Sequence, residues 1–153
     1  MKPTIVCLCG STRFMEAWQA ANLEETLAGR IVLSIGCNTK SDADLQRIGS
    51  LTPEKKLELD ELHKRKIDLA DEILVLNVKT RVCGVCGKPC RLFTELADET
   101  ECCRSKEYSI ENYIGDSTRS EIAYAKEHGK IHLHTATQGR DHPGSRRADQ
   151  TRA

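Results

Sequence analysis

Short runs of consecutive apolar residues alternate with longer stretches of helical period along most of this chain. The first run, Thr4 to Cys9 (Thr-Ile-Val-Cys-Leu-Cys), has the continuous apolar character of a buried parallel strand. It ends at Gly10-Ser11-Thr12-Arg13, after which Phe14, Ala17, Trp18 and Ala21 recur at helical spacing as far as about Gly29. Ile31 to Ile35 predicts a second strand, closed by Gly36-Cys37-Asn38. Residues 38–51 are polar without a clear period and read as a long loop of the kind that covers an active site. Thr52-Pro53 starts a helix that reaches about Ala70, with Leu59, Leu62, Ile67 and Leu69 expected to face inward and its basic groups expected to be solvated. Glu72 to Asn77 predicts a third strand. A helix follows within Tyr113 to Gly129, and Ile131 to His134 is a short fourth strand.

Strands alternating with helices imply an α/β fold, a doubly wound, flavodoxin- or Rossmann-like and mainly parallel sheet of about four to five strands. The domain would span 1–134, interrupted by a cysteine-rich insertion at 78–112 and followed by a disordered tail at 135–153. In such sheets ligands bind beyond the carboxyl ends of the strands. Gly10–Phe14, Asn77 and Gly115–Glu121 all fall at that end.

Three of these segments carry candidate chemistry. The strand, Gly10-Ser11-Thr12-Arg13 turn and helix resemble the opening of a nucleotide-binding unit. Backbone N–H groups and hydroxyls there could hold an anion, with Arg13 adding a planar fork of donors. An ordinary capped turn with a solvated arginine explains the same residues. The turn is no GxGxxG fingerprint, so a dinucleotide is disfavoured. In the second segment, Gly115-Asp116-Ser117-Thr118 offers a polar helix start, with Glu121 expected in or near the first turn. A positive helix end favours an ionised carboxylate there, which is what a nucleophile attacking a sugar carbon needs. Thr118-x-x-Glu121 also fits a capping box, a purely structural role.

The third segment is the insertion, where five of the eight cysteines lie within 21 residues. Cys83-x2-Cys86 followed by glycine is the tight thiolate turn of zinc ribbons, and fifteen residues separate Cys86 from Cys102. Cys83, Cys86, Cys90 and Cys102 are therefore the candidate ligands of a structural zinc; unliganded or redox-active thiols are the other reading. Adjacent Cys102 and Cys103 do not easily share one tetrahedral ion. Cys7 and Cys9 read as ordinary core.

Composition narrows the classes. The 153 residues carry 23 basic and 23 acidic side chains, so no global field favours nucleic acid or a membrane. Aromatics make up 4%, too few for a base-stacking platform. No apolar run has signal-peptide or transmembrane length, so the expectation is a cytoplasmic protein with a small-molecule partner and no organic cofactor. Self-association is left open.

Three blocks point to a family: Cys-Gly-Ser-Thr-Arg-Phe (9–14), His-Lys-Arg-Lys-Ile-Asp-Leu-Ala-Asp-Glu-Ile-Leu-Val-Leu-Asn (63–77) and Tyr-Ile-Gly-Asp-Ser-Thr-Arg-Ser-Glu-Ile-Ala-Tyr-Ala (113–125). Together they resemble the nucleoside 2-deoxyribosyltransferase-like superfamily, which includes the 2'-deoxynucleoside 5'-phosphate N-hydrolases. The resemblance covers about 4–77 and 113–134. It implies cleavage or exchange of an N-glycosidic bond in a nucleoside or its 5'-monophosphate by double displacement. Glu121 matches the nucleophile. Asp116 matches a loop carboxylate that orients the sugar or protonates the leaving base. Ser11, Arg13 and Ser117 match loops that hold sugar or phosphate. His63 stands where the family usually has a catalytic Asp; neither Asp60 nor Asp68 fits the register as its substitute. A nucleotide-binding or sensing module without turnover is the alternative on the same fold.

Overall fold

The computed structural model describes residues 1–36, 41–90 and 107–135. The apolar run at the start forms β1 (Ile5–Cys9), followed by α1 (Met15–Leu27) and β2 (Ile31–Leu33). Next come α2 (Asp42–Arg47), α3 (Pro53–Leu69) and β3 (Glu72–Val75). Three strands, β4 (Lys79–Cys83), β5 (Pro89–Cys90) and β6 (Tyr108–Asn112), precede α4 (Asp116–Glu127) and β7 (Ile131–His134).

Four strands make one parallel sheet in the order β2-β1-β3-β7, with Cys7 opposite both Leu33 and Ile73. Alternation along β1 sends its residues to two faces. Val6 and Leu8 meet Trp18 and Ala21 of α1 on one face. Cys7 and Cys9 meet Ile67, Ala70 and Ala125, from α3, its end and α4, on the other. The chain moves one way across the sheet from β1 to β2, then turns back to β3. The two directions part at the carboxyl ends of β1 and β3, where a crevice for ligands arises in open α/β sheets. At the opposite edge Arg30 pairs with Glu25 at 3.1 Å and with Glu72, which ties α1 to β3 where all three are largely buried.

Residues β4–β6 form a separate antiparallel sheet in the order β5-β4-β6. These three strands fall within the stretch 78–112 that was expected to be an insertion. Cys37, Cys102 and Cys103, the side chain of Cys90 and the expected tail from 136 lie outside the described residues.

Two helical expectations change. The stretch read as a loop at 38–51 holds α2, opened by a capping box in which Ser41 accepts from the Asp44 N–H and Asp44 from the Ser41 N–H. Its Ser-x-x-Asp signature is visible in the sequence. The larger correction concerns α3, which starts as expected, with Thr52 capping the Lys55 N–H. Leu59, Leu62 and Leu69 do not face inward: they are 43%, 52% and 69% exposed. The buried face instead carries His63 and Ile67, with Lys56 and Asp60 half-buried above them. The spacing 56-60-63-67-70 is a regular helical face, largely polar at its amino-terminal end. Among the described residues, no helix is long and apolar enough to cross a membrane.

Candidate functional site

Four side chains from three elements converge beneath the carboxyl edge of the parallel sheet. Cys7 and Cys9, two residues apart on β1, project to the same face. Straight above them α3 presents His63, whose Nε2 lies 3.7 Å from Cys7 Sγ, 3.8 Å from Cys9 Sγ and 3.0 Å from the Leu8 carbonyl oxygen. Helix α4 adds Glu121, whose Oε1 lies 3.9 Å from the same nitrogen. All four residues are buried. The ligand atoms of Cys7, Cys9 and His63 lie within 4.8 Å of one another, a grouping able to hold a metal ion. Glu121 Oε2 is buried without a hydrogen-bond partner.

Their titration follows from this crowding. Burial drives the Glu121 carboxyl up to about 7, against the opposing pull of His63. Hydrogen bonding from the Cys9 thiol lowers Cys7, and its counterpart raises Cys9. His63 loses by burial but gains more from Cys7 and Glu121, so its net shift is upward. The expectation of a carboxylate held ionised by a helix end is therefore not met. The reason is geometric. Helix α4 starts at Asp116 behind Gly115, which places Glu121 in the second turn, facing the core rather than the N-terminus. The proposed Thr118–Glu121 capping box is also absent: Gly115 is the cap, and Thr118 is buried within the helix.

Above this cluster sits a polar rim. Lys56 Nζ reaches Asp42 at 2.9 Å, Asp60 at 3.0 Å and the Ser117 hydroxyl at 3.1 Å. Ser117 in turn donates to Asp60 at 3.4 Å. Thr12 joins the rim by accepting from the Asp42 N–H at 3.0 Å. Partial burial opposes the Lys56 charge, and the two carboxylates outweigh it, leaving its ammonium favoured. Lys56 was passed over because a Lys-Lys pair on a charged helix looks solvated, and Asp60 was set aside because its register does not fit that of the catalytic Asp in the resembled family. Only the 3.6-residue register of α3, once its buried face is known, assigns them inward.

The other expected site residues divide. Gly10, Ser11, Thr12 and Arg13 form the turn after β1. A Cβ on Gly10 would meet Leu76 Cβ at 2.9 Å, so this position needs glycine for close packing. Helix α1 begins only at Met15. Ser11 spends its carbonyl on the Trp18 indole N–H at 3.0 Å, and its hydroxyl oxygen accepts from the Arg13 N–H at 3.4 Å. Ser117 and Gly115 are at the start of α4 beside the rim. Asp116 is exposed on the first residue of that helix. Asn77 is drawn elsewhere: its N–H donates to Thr135 Oγ1 at 2.7 Å and its amide to the Thr135 carbonyl at 3.0 Å, pinning β3 to the end of β7.

Of the four ligands expected in the insertion, only Cys83 and Cys86 have described side chains. Cys83 and Cys86 flank a tight hairpin turn with Gly87 at φ +66°, and the Val85 N–H points to Cys83 Sγ at 3.4 Å. Comparison of the chain with protein-family models, curated proteins and solved structures finds no match.

Proposed function

We propose that this protein acts on the N-glycosidic bond of a nucleoside 5'-monophosphate or nucleoside, with Glu121 as the group that attacks the sugar carbon. The observation that carries the reading is the Glu121 carboxyl itself. It is fixed on a helix beside the crevice of a parallel sheet, with one oxygen facing His63 and the other without a hydrogen-bond partner. An oxocarbenium-like transition state needs a close carboxylate that stabilises positive charge and then captures it. Asp116 is the residue for orienting sugar or protonating the departing base. The Gly10–Arg13 turn and Ser117 supply donors for sugar hydroxyls or phosphate, and the Lys56–Asp60 pair stands ready to orient them. This chemistry fits a doubly wound, Rossmann-like α/β domain whose small-molecule partner enters at the switch between β1 and β3.

A second reading has an observation in its favour. Glu121 is only 8% exposed, and His63 occupies the position where a second carboxylate is expected from the resemblance. A nucleotide-binding module without turnover would tolerate both. Incubation with a panel of ribo- and deoxyribonucleotides separates the two. Released free base that disappears with Glu121→Gln supports the enzyme; saturable binding with no released base selects the binder.

The insertion is proposed to hold a structural zinc through Cys83, Cys86, Cys90 and Cys102. The N–H to sulfur contact at Cys83 supports it, since thiolates in such turns are stabilised by backbone donors. Elemental analysis of zinc-repleted protein, with and without Cys83→Ser, tests it.

A further inference from the structure

We propose that Cys7, Cys9, His63 and Glu121 form a second metal site, a four-ligand centre for a zinc-class ion in the parallel-sheet core. The first support is distance. A tetrahedral zinc with ordinary Zn–S and Zn–N bonds separates its sulfur and nitrogen ligands by about 3.6 Å. The two sulfurs here lie 3.7 and 3.8 Å from His63 Nε2. All three ligand atoms lie within 4.8 Å of one another, close enough to share one ion.

The second support is the carboxyl, which also meets the Cys9 thiol. Glu121 has its side chain nine-tenths buried and an oxygen without a hydrogen-bond partner. A buried carboxyl oxygen without a partner is costly. A cation between Glu121, His63 and the two sulfurs would satisfy it. The Oε1 to Nε2 distance of 3.9 Å exceeds the roughly 3.3 Å of a closed tetrahedral site. Closing the site requires the Glu121 carboxylate to draw in by about 0.6 Å.

The third support is the scaffold. Cys7 and Cys9 belong to β1, an interior strand paired on both sides. His63 and Glu121 come from well-formed helices packed on that strand. Ligands on rigid elements need little ordering when the metal arrives, which favours tight binding. Two thiolates with one imidazole and one carboxylate suit zinc better than hard oxygen-seeking cations. Binding takes both sulfurs as thiolates, Glu121 as carboxylate and His63 as a neutral imidazole with its proton on Nδ1, and any further protons these groups carry pass to solvent.

If Glu121 ligates the ion, its oxygens are withdrawn from any substrate. The zinc-loaded form is then the inactive form of the glycosidase, a consequence that rests on the function proposed above. The metal site itself does not rest on it.

The test uses the full chain carrying Cys83→Ser and Cys86→Ser, so that the insertion turn contributes no strong site. Reduced, chelator-stripped protein is repleted with zinc, and X-ray absorption at the zinc edge reads the ligands. Two sulfur and two nitrogen or oxygen scatterers are expected, at about one ion per chain. Cobalt substitution should give tetrahedral visible bands with thiolate charge transfer. Adding Cys7→Ser should remove one sulfur from the shell. Glu121→Gln should keep the thiolate bands while weakening uptake at least about tenfold, as lost ligand support does. A chain that takes up no zinc, a four-sulfur or sulfur-free shell, or a spectrum indifferent to Cys7→Ser overturns the site. Because the first measurement needs no core substitution, a misfolded Cys7 variant cannot hide the answer. Base release is measured on the chelator-stripped protein before repletion and scored separately: later zinc uptake with no turnover by the stripped protein leaves the site standing and removes the enzyme, and turnover by the stripped protein with no later zinc uptake does the reverse.

Discussion

Cys7 and Cys9 differ from Cys83 and Cys86 in how the backbone presents them. The first pair is separated by one residue on an interior strand, so both side chains fall on one face and meet His63 within 3.8 Å. The second pair is separated by two residues in a hairpin turn, with Cys83 buried and Cys86 only partly so. The insertion turn carries the familiar sequence signature of a metal site. The strand pair carries none, because its third and fourth partners arrive from residues 63 and 121. Local spacing advertises a site built by a turn. It stays quiet about one built by packing three elements together.

The comparison breaks most sharply at Glu121. Glu121→Gln is expected to lower base release by at least about a thousandfold while leaving nucleotide binding largely intact. Cys83→Ser with Cys86→Ser should leave turnover in place. Near-normal turnover by Glu121→Gln would dismiss its assigned role.

Next in size is stability. His63→Ala opens a cavity beside Cys7 and Cys9 and should cost about 2–4 kcal/mol in urea unfolding of metal-free protein. Cys86→Ala, on a half-exposed turn, should stay within about 0.5 kcal/mol under the same conditions. Equal losses at the two positions would mean that the strand cluster is no better integrated than the turn.

Arg13→Ala should weaken a 5'-monophosphate by about 1.5–3 kcal/mol and the bare nucleoside much less. Isothermal titration with both ligands measures this, and matching losses would deny Arg13 a phosphate. The insertion cysteine variants should leave both affinities alone, placing ligand recognition at the β1 end.

The smallest expected effect is a pH dependence at the rim. The folded Lys56 value is raised by Asp42 and Asp60. Its contribution is thus fully present below the unfolded lysine value of about 10.4 and is lost as pH rises through the folded value. Wild type and Lys56→Met, unfolded in urea across that alkaline range, should converge as pH increases. A constant gap between them would show that the Lys56 ammonium does not stabilise the rim by its charge.

Strand and helix order were legible because each element follows a local rule: β1 as an apolar run, α3 from Thr52-Pro53, and α4 stopped by Gly129 at φ +66°. Helix α2 was missed: its Ser41–Asp44 box stands in the sequence, but the helix is too short to show a period. The phase of α3 was missed as well. A helix is read by assuming that its apolar stripe faces the core, and here Leu59, Leu62 and Leu69 face outward. The inward stripe holds Lys56, Asp60 and His63, which meet Asp42, Ser117, β1 and Glu121. The misread face is the one that carries the candidate site.

The sequence by itself determined where the sheet's carboxyl edge would lie and offered some of the candidate residues. It marked Glu121, Asp116, the Gly10–Arg13 turn and the Cys83–Cys86 pair, since caps, breakers and thiolate spacings act over a few residues. Only the tertiary structure decided that Glu121 sits in the second turn of α4, buried to a value of about 7. Only it brought His63 onto Cys7 and Cys9. Burial and proximity between residues more than fifty positions apart depend on how α3 and α4 pack on β1, and no local rule encodes that packing.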